Sequence, residues 1–82
     1  MPTIFKHDGF RVAIYPNDHR PAHVHVVKPD RQAVFFLNCP HGPPELREND
    51  GLSAAELRGV AAAIAEQLAL CCERWRAMHD DY

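Results

Sequence analysis

Apolar and polar residues alternate with a period of two through the first half of the chain and recur at helical spacing through the last third. From Phe10 to Tyr15, Phe10, Val12 and Ile14 fall on one side and Arg11, Ala13 and Tyr15 on the other, which predicts a half-buried strand. Thr3-Ile4-Phe5 forms a shorter strand before it, closed by the turn signal His7-Asp8-Gly9. A second alternation from Ala22 to Val27 sets Val24 and Val26 against His23, His25 and Val27. Lys28-Pro29-Asp30-Arg31 reads as a hairpin turn. Ala33-Val34-Phe35-Phe36-Leu37 is apolar on both faces, as expected of a central or covered strand.

Residues 39–52 then change character. Pro40, Gly42, Pro43, Pro44, Asn49, Asp50 and Gly51 predict a stiff connection from sheet to helix. Ser53 and Glu56 have capping-box spacing. Beyond them Leu57, Val60, Ala61, Ile64, Leu68, Cys71, Trp75 and Met78 form one apolar stripe, which predicts an amphipathic helix from about Ala54 to about Met78. Such a helix would run about 37 Å, against roughly 20 Å for strands of five or six residues. Either it overhangs the sheet, presenting Leu68, Trp75 and Met78 to a partner protein or a second copy, or it breaks near Leu70 to Cys72. The expected fold is α+β: a small antiparallel sheet of three to four strands, within residues 3–38, with one long C-terminal helix on one face.

At 82 residues the chain reads as one domain, 1–82. No apolar run approaches the 18 residues or so of a membrane span, and the first residues lack a signal-peptide layout, so the expectation is a cytoplasmic protein with no membrane association. The three cysteines, Cys39 and the adjacent Cys71 and Cys72, do not read as a disulfide framework or a zinc knuckle and are expected to be reduced thiols. The net charge of −2 gives no general case for nucleic-acid binding. Residues 1–38 nevertheless carry five Lys/Arg against three Asp/Glu, whereas residues 39–82 carry four against eight, so an anion would prefer the first part.

That electropositive part holds Asp18-His19-Arg20-Pro21-Ala22-His23-Val24-His25-Val26, with three of the six histidines in nine residues. Imidazole moves protons near neutral pH and is the commonest metal ligand. His23 and His25 share a strand face, and pairing with the preceding strand would add Arg11 and Tyr15, with His19 at the rim. Two imidazoles, a guanidinium and a phenol suit phosphate binding and proton transfer. In that reading His23 and His25 exchange protons, Arg11 holds the phosphate, and His19 with Asp18 orients the loop, without a cofactor. The alternative is a zinc site of His19, His23 and His25, completed by a group such as His41 or Cys39. A third arrangement pairs His25 with Asp18, and a fourth treats the histidines as ordinary strand and loop residues. His7, His41 and His79 read as surface residues.

Met1-Pro2-Thr3-Ile4, Gly9, Tyr15, Asp18-His19, Pro21 and His23-Val24-His25-Val26 resemble the bacterial domain-of-unknown-function family 4160. Members open with Met-Pro-Thr-Ile and carry Asp-His-x-Pro-Pro-His-Phe-His-Val; here Ala22 and Val24 depart from that pattern and leave all three imidazoles in place. The resemblance implies one half of a toxin–antitoxin-like pair of small proteins. Combined with the histidine face, it implies a metal-independent ribonuclease. The rival expectation is a non-catalytic module that binds a protein or small anion and dimerises through its helix.

Overall fold

The computed structural model describes residues 3–82; the Met1-Pro2 start lies outside the described residues. Five strands and two helices follow in order: β1 Thr3–His7, β2 Phe10–Ala13, β3 His23–Lys28, β4 Arg31–Phe36, β5 Glu45–Asp50, α1 Ala54–Glu66 and α2 Leu68–His79. The strands form one antiparallel meander in chain order. At the β1–β2 turn Asp8 and Gly9 both have positive φ, 48° and 79°, the backbone that closes a two-residue hairpin with the twist of its strands. Pro29-Asp30 closes the β3–β4 hairpin between Lys28 and Arg31.

One sheet face carries Phe10, Val12, Val24, Val26 and Phe35 into a core with Val60 and Ile64 of α1 and Cys71 and Trp75 of α2. Ser53 accepts a hydrogen bond from the Glu56 amide at 3.1 Å, and Glu56 accepts one from the Ser53 amide at 3.0 Å, so the capping box forms. Among the described residues no helix is long and apolar enough to cross a membrane.

Three expectations are corrected. The sheet has five strands, because Glu45–Asp50, read as connection, pairs with β4 as an edge strand. The expected single helix is two, broken at Gln67, whose φ of −103° and ψ of 17° end α1; the break comes earlier than Leu70. The reason is dimensional. The whole molecule extends only 33 Å, shorter than a straight helix of that length, while the 13 residues of α1 cover about 20 Å, the span of a strand. After the break, α2 turns Cys71, Cys72 and Trp75 inward. Finally, Cys39 and Cys72 form a disulfide with Cα atoms 5.7 Å apart, and only Cys71 is a free thiol. Burial pushes the Cys71 thiol up to about 11, so it behaves as a small apolar residue.

The same packing revises the expected partner surface. Trp75 is completely buried. Leu68 is partly covered by the proline-rich loop, where a Cβ on Gly42 would lie 2.7 Å from Leu68 Cδ2. Only Met78, at 37% exposure, remains open.

Candidate functional site

The site is organised by Asp18. Pro16 and Asn17 occupy the middle of a turn closed by the Asp18 amide donating to the Tyr15 carbonyl at 3.0 Å. The Tyr15 amide donates back to Asp18 Oδ2 at 3.1 Å, which fastens the carboxylate beside the end of β2. Register does the rest: Ala13 of β2 stands opposite His25 of β3, so the carboxylate meets that imidazole. His25 Nε2 lies 3.2 and 3.1 Å from the two Asp18 oxygens, and the Tyr15 ring sits 4.5 Å from the His25 ring.

His23 reaches the same carboxylate from behind. Its Nδ1 donates to the Pro21 carbonyl at 2.8 Å, which turns Nε2 toward Asp18 Oδ2 at 3.5 Å. The rings of His23 and His25 are 5.3 Å apart, edge to face. Exposure grades across the cluster: the side chains of His23, Asp18 and His25 are 5%, 15% and 23% exposed. His23 is therefore not the half-exposed strand residue that alternation implies. Trp75 closes over it, with ring centroids 5.2 Å apart. Trp75 is held in turn by stacking on His79 at 3.9 Å and by donating its indole N–H to the Asp81 carbonyl at 2.7 Å. His79, expected at the surface, is part of this wall, and its Nε2 is buried.

The cluster opens into a hollow of about 320 Å³ that His19, Arg20, Phe36 and Arg47 also line. His19 is exposed there and stands outside the three-donor cluster; Arg20 is tied to Asp81 at 3.1 Å. Arg11 is elsewhere. It pairs in register with Val27, two residues along β2 from the His25 row, and lines a separate hollow with Lys6, Gly9 and Lys28. Arg47 lines the Asp18 hollow and also a neighbouring one of about 330 Å³ on the other side of His25, with Tyr15 and Glu48. It is the extra residue of a β-bulge: Glu48 pairs with Val34 and Leu46 with Phe35, leaving Arg47 between them. Bulges on edge strands redirect a side chain in this way. Reading residues 39–52 as connection left Arg47 unnoticed.

Asp18, His23 and His25 each offer a ligand atom, and these atoms lie within 4.8 Å of one another; of the zinc set expected from sequence, Asp18 stands in the place of His19. A larger hollow of about 610 Å³ lies between Pro40, α2 and Tyr82, but no histidine lines it. Convergent chemistry, rather than volume, marks the Asp18 hollow as the candidate site.

No curated protein and no solved structure matches the chain at a significant level. The model of DUF4160, a domain of unknown function, matches residues 9–76, a span that includes every residue of the Asp18 cluster, and the chain belongs to that family.

Proposed function

We propose that this protein is the RNA-cleaving component of a bacterial toxin–antitoxin-type pair and that its chemistry needs no metal. The observation that carries the reading is the Asp18–His25 pair beside Arg47 in one open hollow. Asp18 accepts the N–H of His25 Nε2, which leaves Nδ1 with its lone pair as the base, the logic by which a carboxylate orients a catalytic imidazole. His25 takes the proton of a ribose 2′-hydroxyl while that oxygen bonds to phosphorus. The bond from phosphorus to the 5′ oxygen breaks, and the departing oxygen takes a proton from His19 at the rim. A cyclic phosphate and a free 5′-hydroxyl result. Arg47 offsets the charge gathering on the phosphoryl oxygens, and Phe36 and Tyr15 offer rings on which unstacked bases rest. His23, at 5% exposure, supports Asp18 from within.

A toxin that acts on its own cell's RNA works in the cytoplasm. The assay is run with chelator on protein whose Cys39–Cys72 bond is intact. Purified protein should cut single-stranded RNA under those conditions, and His25→Ala, folded as judged by circular dichroism, should lose at least about 100-fold, the lower bound for a positioned acid–base group. Equal cleavage by wild type and variant, or none by either, removes the proposal.

A further inference from the structure

The geometry points to a transition-metal site formed by Asp18, His23 and His25, with its open position facing the hollow. Two independent observations meet here. The first is spacing. Zinc bonds of about 2.0–2.2 Å to nitrogen and oxygen set neighbouring donors of a tetrahedral site roughly 3.3 Å apart. Asp18 Oδ2 lies 3.1 Å from His25 Nε2 and 3.5 Å from His23 Nε2, and all three donors fall within 4.8 Å of one another. Binding requires the two rings to move inward toward the carboxylate.

The second is the tautomer of His23. A carbonyl only accepts, so the 2.8 Å contact with Pro21 puts hydrogen on Nδ1. Nε2 is then the nitrogen left to face the carboxylate oxygen, 3.5 Å away, with the side chain 95% out of solvent. A buried imidazole nitrogen and a carboxylate oxygen 3.5 Å apart need a cation between them, a proton or a metal ion. Ligating histidines are characteristically held this way, by the ring nitrogen that does not touch the metal. Two imidazoles and one carboxylate suit zinc and its neighbours rather than calcium or magnesium, which prefer all-oxygen sets. Arg47 and Arg20 at the rim favour an anion or hydroxide as the remaining ligand.

The site bears on the RNA reading without depending on it. A metal on His25 Nε2 moves that ring's proton to Nδ1 and so removes the lone pair assigned to the base. Where the protein does cut RNA, one equivalent of zinc should stop it.

The test is binding of the metal alone. Cobalt(II) added to chelator-stripped protein should give the intense visible absorption of a four-coordinate ion at one equivalent, and zinc should displace it. Asp18→Asn, which keeps the side chain's shape, should weaken cobalt binding by more than the 10–100-fold that loss of an outer partner costs; His25→Ala should do the same, and His19→Ala should leave it unchanged. Zinc should also raise the melting temperature of wild type and not of Asp18→Asn. Absence of the absorption, or its survival in His25→Ala and Asp18→Asn, overturns the site. Loss of RNA cleavage alone does not touch it, because no RNA is present.

Discussion

Trp75→Ala separates a core residue from an interface residue. Trp75 is fully buried among His23, His79 and the sheet core, although its position on the helical stripe had suggested a partner surface. Truncating a buried tryptophan costs about 3–5 kcal/mol through lost transfer energy and the cavity left behind. The indole hydrogen bond to the Asp81 carbonyl adds about 0.5–1.5 kcal/mol to that figure. Domains are stable by about 0.05–0.15 kcal/mol per residue, or roughly 4–12 kcal/mol for 82 residues. The substitution therefore removes a large part of the total, and with about 4–8 °C per kcal/mol the melting temperature should fall by more than about 12 °C. Met78→Ala, at an exposed position, should change stability by less than about 0.5 kcal/mol. Urea unfolding followed by far-ultraviolet circular dichroism gives the energies, and light scattering gives the mass. A loss below about 1 kcal/mol in Trp75→Ala, together with a halved mass, would refute the packing argument and return Trp75 to an interface.

Opening the Cys39–Cys72 bond, which spans 33 positions, should cost about 3.7 kcal/mol by the chain-entropy relation; unfolding midpoints with and without reductant measure it, and coincident midpoints would show that the bond does not form. Hydrogen bonds from Arg31 and then from the Ser53 amide hold the Glu56 carboxyl below the usual range. Its contribution to stability is therefore present above the unfolded glutamate value, about 4.3, and lost as pH falls through the lower folded value. Glu56→Gln should flatten the acid limb of a stability–pH curve, and an unchanged limb would exclude this ion pair as its source. Arg47→Ala on exposed β5 should leave stability within about 0.5 kcal/mol of wild type. The same variant should weaken retention of single-stranded RNA and reduce its log–log salt slope by about 0.7, one phosphate contact; an identical slope would remove Arg47 from the RNA surface.

The elements whose side chains follow a simple period were legible in the sequence. Phe10, Val12, Val24 and Val26 alternate into the core, and Ser53 with Glu56 marks the start of α1. Strand β5 was not legible because all six residues of Glu-Leu-Arg-Glu-Asn-Asp are exposed, so burial leaves no alternation to read. Its bulge was hidden with it, so Arg11 was considered for the phosphate and Arg47, which lines the Asp18 hollow, was not. The break at Gln67 carries no proline or glycine; it follows from the length of the sheet, a tertiary constraint. Adjacent cysteines argued against a framework, yet one of them pairs while its neighbour fills the core. The three clustered histidines were plain to see. Their ranking was not, because the burial of His23 is imposed by Trp75, some fifty positions away in the chain.

Both functional readings require Asp18 to gather His23 and His25 while leaving His19 outside. Nitrogen-15 NMR of the imidazole rings, in wild type and Asp18→Asn, tests this most directly. Wild type should carry a hydrogen on His23 Nδ1, and substitution should change His23 and His25 together while leaving His7 and His19 undisturbed. A response confined to one ring, or shared by all the histidines, would contradict the cluster and both readings with it.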